Sequence, residues 1–126
     1  MKGGEIIGLI GDLGGGKTTF VKGLAKGLGI KEMVTSPTFV LMKEYPLPRS
    51  FTLSLIHFDL YRLKKPEEIE TIGLSDYLGK PEKICVIEWA EKIKDYLKKL
   101  PTGVIWLKFE FVDKNKRRIK TIKKPF

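Results

Sequence analysis

The stretch Gly11-Asp12-Leu13-Gly14-Gly15-Gly16-Lys17-Thr18 fits G-x-x-x-x-G-K-[ST], the Walker A pattern of a phosphate-binding loop. The sequence on both sides of it also fits. The apolar run 6–10 before it is typical of a buried parallel strand. Apolar side chains then recur every four residues over 20–28, which predicts a helix, and Gly27 and Gly29 predict where that helix ends. Strand, glycine-rich loop and helix is the arrangement that the motif needs.

The chemistry predicted for this loop is the binding of a nucleoside triphosphate. Glycines let the backbone approach the phosphates with its N–H groups pointing inward. A helix that begins near Gly16 adds the positive end of its dipole. Lys17 is expected to reach the outer phosphates as a point charge, and the Thr18 hydroxyl to ligate Mg²⁺. The alternative is a chance glycine turn before a helix, against which the Lys-Thr pair and both flanks argue.

The composition predicts one small domain covering residues 1–126. An apolar fraction of 42% is enough for a single core. No stretch of about 18 apolar residues is present, so no membrane span is predicted. We expect no secretory signal before the first strand, and therefore a cytoplasmic location. The single Cys85 lies in the apolar run 84–87, cannot form an intramolecular disulfide, and is predicted to be a small core residue.

The net charge of +9 is uneven along the chain. Without the seven basic residues that follow Asp113, 17 basic residues face 15 acidic ones, a balance of only +2. One interpretation is a surface that contacts RNA or an acidic partner. The other is an edge strand kept from aggregating by its charges, which the alternation of Ile119 and Ile122 with basic residues favours slightly. The seven are Lys114, Lys116, Arg117, Arg118, Lys120, Lys123 and Lys124.

The rest of the chain predicts the α/β class, with a P-loop strand and some antiparallel strands. Apolar runs, turn residues and prolines mark the element ends. The predicted elements are strands over 39–42 and 51–56 joined as a hairpin by a turn at 46–50, a strand over 83–88, a strand over 104–112 paired with 117–122, short helices over 66–70 and 75–78, and a helix over 90–100.

Two apolar strands end in acidic residues, Asp59 and Glu88. In parallel α/β sheets the ligand crevice lies at the carboxyl ends of the strands, so both acids are expected near the loop. Either carboxylate can hold Mg²⁺ through water or orient the attacking water. The alternative is that one of them caps the following helix, an explanation with more weight for Asp59 because Glu is a poor cap.

Three further observations bear on the kind of metal site, on the role of Trp89 and on the base of the nucleotide. His57 is the only histidine, which excludes a metal site built on a histidine cluster, and it is expected to pack or hydrogen bond within its strand. Trp89 is either a core aromatic or a wall of the site. The guanine-reading pattern N-K-x-D is absent, since Arg118 stands where the acid would be in the stretch 115–118, and adenine is therefore the expected base.

Four motifs occur together in a specific order. They are Gly-Asp-Leu-Gly-Gly-Gly-Lys-Thr-Thr at 11–19, Ser-Pro-Thr at 36–38, His-Phe-Asp-Leu-Tyr-Arg at 57–62 and Glu-Trp-Ala-Glu at 88–91. In this combination the chain closely resembles the bacterial TsaE (YjeE) family, over nearly its whole length. The resemblance implies a P-loop NTPase-like three-layer sandwich with a mixed parallel and antiparallel central sheet. It also implies an ATPase of tRNA threonylcarbamoyladenosine biosynthesis.

The resemblance implies roles for individual residues. Lys17, Asp59 and Glu88 would be catalytic, with Asp59 as the acidic residue of hydrolysis. Mg²⁺ would be held by Thr18 and Glu88, with Asp59 nearby, and 36–38 would form a mobile loop that responds to the nucleotide. The residues implied around ATP or ADP are Leu13, Gly14, Gly15, Gly16, Lys17, Thr18, Thr19, Asp59 and Trp89.

The resemblance also implies partners. ATP hydrolysis would support TsaD and TsaB, which place threonylcarbamoyl on an adenosine next to the anticodon of certain tRNAs; contact with tRNA would be indirect and no membrane would be involved. Family members usually carry about two dozen residues before the P-loop strand. We expect either that this segment is missing here or that the start of the sequence is mis-assigned. The adenine contacts are therefore unassigned, with Phe111 and Arg117 as candidates.

Two other functions compete with this one. The first is a P-loop kinase of a small metabolite, which would need a lid that supplies arginines. The chain has only four arginines, and its central region is predicted as a hairpin rather than a helical lid. The second is a nucleotide-dependent binding module with negligible turnover.

Overall fold

A computed structural model describes residues 2–11, 16–32, 34, 42–50, 52–70 and 73–123 of the chain. Within these ranges the chain forms both strands and helical segments, as in an α/β domain. The strands are β1 (Ile6–Gly11), β2 (Met42–Pro46), β3 (Ser54–Asp59), β4 (Lys83–Glu88), β5 (Ile105–Asp113) and β6 (Lys116–Ile122). The helices are α1 (Lys17–Gly27) and α2 (Lys94–Lys98), with 3₁₀ helices at Pro66–Glu70, Leu74–Asp76 and Ala90–Ile93.

The described strands form one mixed sheet in the order β2-β3-β4-β1-β5-β6. The four inner strands are parallel, and β2 and β6 pair antiparallel at the two edges. The inner strands β1, β3 and β4 are mostly buried because both of their faces are covered, whereas β5 has several exposed positions. Since β1 is central and parallel to β4, the loop that follows β1 starts at the edge of the sheet where β3 and β4 also end.

A hydrophobic core covers each face of the sheet, which gives the predicted three layers. On one face α1 packs through Val21 and Ala25 onto Ile7 and Leu9. On the other face Ile93, with its neighbours around the short helices, packs onto the alternate positions of the same strands. This alternation within β1 follows from the two-residue period of a strand.

Gly8 is needed for the second layer to pack closely. A Cβ at this position would lie 2.8 Å from the Trp106 ring and 3.2 Å from the Ala90 Cβ. Gly8 is paired with Trp106 in the β1–β5 register. Because glycine has no side chain, the indole ring of Trp106 fills the space above Gly8. The fold therefore requires glycine here for packing rather than for backbone conformation.

The predicted elements around the motif are confirmed. The predicted strand before the motif and the predicted helix after it are present as β1 and α1, and α1 ends at Gly27. The strand over 83–88 has the predicted bounds, and β5 and β6 form the predicted antiparallel pair. The helical segments predicted over 66–70 and 75–78 are 3₁₀ helices, the second one lying at Leu74–Asp76. Cys85 is buried in the core, and this burial raises the pKa of its thiol to about 12.

Two predictions are wrong in detail. The segment 90–100 is not one helix, because Ile93 (φ −124°, ψ 30°) separates a 3₁₀ helix from α2. The antiparallel hairpin exists, but its first strand runs to Pro46 and its second strand starts at Ser54. Proline is tolerated there because β2 is an edge strand that needs no N–H on its outer side. Residues 39–41 of the predicted strand lie outside the described residues.

No helix in the described part of the chain is both long enough and apolar enough to cross a membrane.

Candidate nucleotide and metal site

The two described ends of the glycine-rich loop have the backbone geometry that the motif needs. Gly11 ends β1 with φ 128°, and a Cβ there would lie only 2.2 Å from the Phe109 carbonyl oxygen. Gly16 precedes α1 with φ 96°. Both conformations favour glycine. Leu13, Gly14 and Gly15 lie outside the described residues, so their predicted contacts with phosphate stay predictions.

Lys17 is buried at the mouth of the loop, with only 5% of its surface exposed. Its Nζ donates a hydrogen bond to the Gly11 carbonyl at 2.6 Å and lies 3.4 Å from the centroid of the Trp89 ring. The carbonyl dipole and the aromatic face both stabilise the ammonium at this position.

Trp89 lies beside Lys17 and also packs against the hydrophobic core, so its role as a wall of the site stays a prediction. It has φ 61°, the only positive φ of a non-glycine residue in the part of the chain that the structure describes. Its ring contacts Lys17 and tilts against the Tyr61 ring at a centroid distance of 5.3 Å. Backbone strain of this kind is found where a side chain must be aimed at a functional site.

Glu88 joins three elements at the carboxyl end of the sheet. Only 2% of it is exposed. Its Oε1 accepts a hydrogen bond from the Thr18 hydroxyl of α1 at 2.9 Å, and its Oε2 lies 2.6 Å from Nε2 of His57 on β3. A buried carboxylate is stable only when both oxygens have such partners. The structure therefore brings Thr18 and Glu88 together as predicted.

His57 is buried as expected, but its hydrogen bond crosses to β4 instead of staying within its own strand. The prediction about its partner was wrong because it ignored the neighbouring strand. Side chains two residues apart share one face of a strand, so His57 and Asp59 both lie on the face of the sheet that Glu88 occupies. Asp59 and Glu88 are opposite each other in the β3–β4 register.

Asp59 is half-buried beside this pair. Its Oδ1 accepts a hydrogen bond from the Tyr61 N–H at 3.1 Å, so it stabilises a turn rather than capping a helix. Burial raises the pKa of its carboxyl, and the nearby charge of Glu88 raises it further, against the lowering effect of the Tyr61 hydrogen bond. The two carboxylates thus share one end of the sheet in different environments.

Glu91 contributes to the site, and sequence reasoning assigned it no role. Its Oε2 accepts a hydrogen bond from the Gly11 N–H at 3.3 Å, which ties the 3₁₀ helix Ala90–Ile93 to the start of the loop. A carboxylate three residues after Glu88 is a sequence signal, but it does not show that the chain turns back toward β1.

A pocket of about 440 Å³ lies beside the start of α1, between that helix and the β5–β6 hairpin. Phe20 and Phe109 meet edge to face on its apolar side, with ring centroids 5.7 Å apart. Of the two predicted adenine contacts, Arg117 lines the pocket, while Phe111 stacks against Arg117 at 4.5 Å and is not a lining residue. The lining residues are Gly16, Thr19, Phe20, Phe109, Lys114, Asn115, Arg117 and Ile119.

The oxygen atoms that the protein offers here fit a cation whose other ligands are the phosphates of a bound nucleotide. Among the described residues no group of three or more His, Cys, Asp or Glu side chains could hold a metal ion. What the site offers is the Thr18 hydroxyl, the Glu88 carboxylate and the adjacent Asp59. Mg²⁺ is usually bound in this way, through one or two carboxylates with phosphates and water. The loop segment 36–38 lies outside the described residues.

The central β1, the glycine-rich connection to α1 and the acidic end of the neighbouring β4 define an α/β protein with a P-loop NTPase-like fold. The family model described as "Threonylcarbamoyl adenosine biosynthesis protein TsaE" matches residues 1–119. The chain therefore belongs to the TsaE family.

Curated relatives support this membership. The chain is 46% identical over 96 residues to a protein of Bacillus subtilis, a match that covers 76% of the chain and 57% of the relative. It is 42% identical over 105 residues to one of Haemophilus influenzae, covering 83% and 62%. A third, from Aquifex aeolicus, is 42% identical over 126 residues, covering 98% and 81%. All three are named "tRNA threonylcarbamoyladenosine biosynthesis protein TsaE". The chain spans less than two thirds of the length of the first two.

Proposed function

We propose that this chain binds ATP at the loop 11–18 and hydrolyses it with Mg²⁺, in support of TsaD and TsaB during the threonylcarbamoylation of tRNA. The observation that carries the proposal is the hydrogen bond from Thr18 to Glu88 at 2.9 Å, next to the buried Lys17. A hydroxyl at the start of a helix and a carboxylate at the end of an adjacent strand are the two protein ligands that a P-loop site gives to Mg²⁺.

Different residues of the chain would bind the phosphates, hold Mg²⁺ and orient the attacking water in this reaction. Lys17 exchanges the Gly11 carbonyl for the oxygens of the outer phosphates, since a carbonyl dipole competes poorly with an anion. Thr18 and Glu88 would hold Mg²⁺, which supplies neutralisation of the charge that develops on the phosphate oxygens. Asp59 lies beside Glu88 and can orient a water molecule by accepting a hydrogen bond from it.

The pocket beside α1 is suited to the base of the nucleotide. Phe20 and Phe109 offer apolar surface, and Arg117 and Asn115 offer polar groups. Nucleotide sites combine a mostly apolar cleft with a few polar groups that set orientation. Thr19 and Gly16 line the same pocket, so a base bound there would be continuous with phosphates at the start of α1. We therefore favour this pocket over Phe111 for the adenine.

The proposed partners define the decisive experiment. ADP release is measured with the chain alone, with TsaD and TsaB, and with each partner separately, at saturating ATP and Mg²⁺. We expect slow hydrolysis by the chain alone and stimulation only when both partners are present. If ATP turnover stays at the background level in every mixture, the proposal fails. The Lys17→Ala variant serves as the control for contaminating ATPases.

The kinase alternative makes a different prediction about stoichiometry. A kinase consumes ATP only when an acceptor metabolite is present, whereas the proposed ATPase forms ADP and phosphate without one. In the described part of the chain, β2 follows α1 and pairs antiparallel with β3 at the edge of the sheet, whereas a kinase needs a helical lid. Release of inorganic phosphate equal to the ADP formed, in a mixture without any acceptor, contradicts the kinase function.

A further inference from the structure

We propose that His57 is a positioning residue that fixes the Glu88 carboxylate for Mg²⁺ binding. The inference rests on the proposed function. It is carried by one geometric relationship, the 2.6 Å separation between Nε2 of His57 and Oε2 of Glu88, while Oε1 of the same carboxylate bonds to Thr18. The His57 side chain is completely buried, so a nucleotide that binds at the protein surface does not touch it.

The hydrogen bond has a defined direction. A carboxylate that binds Mg²⁺ only accepts hydrogen bonds, so in the proposed role Nε2 of His57 carries the proton and donates to Glu88. The other ring nitrogen, Nδ1, is buried and has no hydrogen-bond partner among the described atoms. The interaction with Glu88 is therefore the polar contact that accounts for a histidine at this buried position.

The sheet register explains how this contact arises. Asp59 is the direct partner of Glu88, and His57 is the partner of Val86, two residues earlier on β4. His57 is thus the diagonal neighbour of Glu88 on the same face, a spacing that a long side chain can cross. The imidazole reaches the carboxylate along the sheet, whereas Thr18 reaches it from α1 above the sheet.

Two donors restrict the carboxylate more than one donor does. With Thr18 alone, the Glu88 carboxylate can rotate about its terminal bond and exchange its oxygens. A second donor on Oε2 fixes the carboxylate plane and keeps Oε1 toward Thr18. Partners that orient a metal ligand in this way typically change metal affinity by about 10–100-fold when they are removed. Loss of the His57 side chain should therefore weaken Mg²⁺ binding without changing the interaction of Lys17 with the phosphates.

Two substitutions separate the hydrogen bond from the rest of the side chain. His57→Gln keeps an N–H donor at about the distance of Nε2, whereas His57→Asn has its donor near the position of Nδ1, too short to reach Glu88. Binding of Mn²⁺ to the ADP complex, followed by electron paramagnetic resonance, reports metal affinity directly. ADP affinity in EDTA reports the phosphate site alone, and thermal unfolding reports folding.

We expect Mn²⁺ affinity to fall about 10-fold or more in the Asn variant and to stay within about 3-fold of the wild type in the Gln variant. ADP affinity in EDTA should be the same in all three proteins. Wild-type metal affinity in the Asn variant, or equal losses in both variants, would overturn the inference. If the Asn variant does not fold, His57→Met, which has similar volume and no donor, takes its place with the same expectation.

A double-mutant cycle tests whether His57 acts through Glu88. In a Glu88→Gln background the Asn substitution should cause no further loss of metal affinity, because the carboxylate it positions is gone. Independent, additive losses overturn the inference. Failure of the wild-type protein to bind ADP in EDTA is a different result, since it refutes the proposed function itself.

Discussion

The Nζ atom of Lys17 lies 3.4 Å from the centroid of the Trp89 ring, in a cation–π contact at the mouth of the loop. Trp89 has φ 61° and directly follows Glu88, so one short segment supplies both the aromatic cover of the ammonium and the buried carboxylate. When Lys17 turns toward a phosphate, it must leave part of this contact. The lysine and the tryptophan therefore respond to the same event.

This coupling predicts an optical signal for nucleotide binding. Saturation with ADP or ATP should change the fluorescence of Trp89, because the charge over its ring moves. The chain has two tryptophans, and Trp106 is buried in the core. The response measured in a titration should therefore disappear in Trp89→Phe. An unchanged response in that variant would assign the signal to Trp106 and contradict the predicted movement.

Lys17→Ala should reduce nucleotide affinity by at least about 100-fold, or about 2.7 kcal/mol. The backbone groups of the loop cannot by themselves offset the charge of the phosphates, and the residue supplies the buried ammonium. Equilibrium binding of a fluorescent ADP derivative measures the loss.

The control for this substitution is Lys22→Ala on the same helix. Lys22 is exposed, so the variant removes an equal charge and an equal side chain at a distance from the loop. Similar losses in both variants would mean that net charge, not the loop, determines affinity. Unchanged affinity in Lys17→Ala would refute the assignment of the loop.

Glu88→Gln should separate hydrolysis from binding. The amide oxygen can still accept the hydrogen bond from Thr18, but the charge that attracts Mg²⁺ is lost. Mg²⁺-dependent hydrolysis should fall about 100-fold, or about 2.7 kcal/mol in the activation free energy. ADP affinity in EDTA should change little. Equal losses in the two measurements would argue that Glu88 has only a structural role.

The sequence predicted the elements around the loop because their signals are local. Apolar runs mark β1 and β4, and a four-residue period marks α1. It predicted that both strand-end acids would lie near the loop, because the ligand crevice of such a sheet lies at the carboxyl ends of its strands. The specific pairing of Thr18 with Glu88 was implied only by the family resemblance.

The bond between His57 and Glu88 could not be predicted in the same way. It depends on the register of β3 against β4, and a shift by one residue would turn His57 to the other face of the sheet. The break at Ile93 was also missed, since the 3₁₀ helix before it follows the left-handed backbone of Trp89, which no residue pattern indicates. The pocket beside α1 depends on how the β5–β6 hairpin lies against Gly16 and Phe20.

Asp59→Asn should stabilise the protein in the absence of nucleotide while reducing hydrolysis. The pKa of Asp59 is raised chiefly by burial, so the ionised carboxylate costs stability at neutral pH. The neutral amide avoids this cost, and we expect the Tm to rise by about 2 °C at pH 7. Thermal unfolding of both proteins measures the difference.

The pH dependence of this difference gives a second check. Because the folded-state pKa is raised, the wild type loses stability from this group as the pH increases from the ordinary value of 3.8 through the raised value. The advantage of the Asn variant should therefore be complete at neutral pH and disappear below about pH 4. An advantage that does not vary with pH would exclude ionisation of Asp59 as its cause.

The basic residues of β6 provide the last prediction, which separates the two interpretations of the charged segment. Arg118 and Lys120 are exposed and lie 3.8 and 3.3 Å from Glu110, on a strand that pairs only with β5 in the described part of the chain. If their charges prevent edge-to-edge pairing, Arg118→Gln with Lys120→Gln should increase self-association in sedimentation velocity experiments. Lys22→Gln with Lys26→Gln removes the same charge from an exposed helix face and should not. The other interpretation predicts that the β6 variant stays as monomeric as this control but binds RNA, or TsaD and TsaB, more weakly. Its binding should also depend less on salt, because fewer ion pairs remain to be screened. These two results together would identify the strand as a contact surface for an anionic partner.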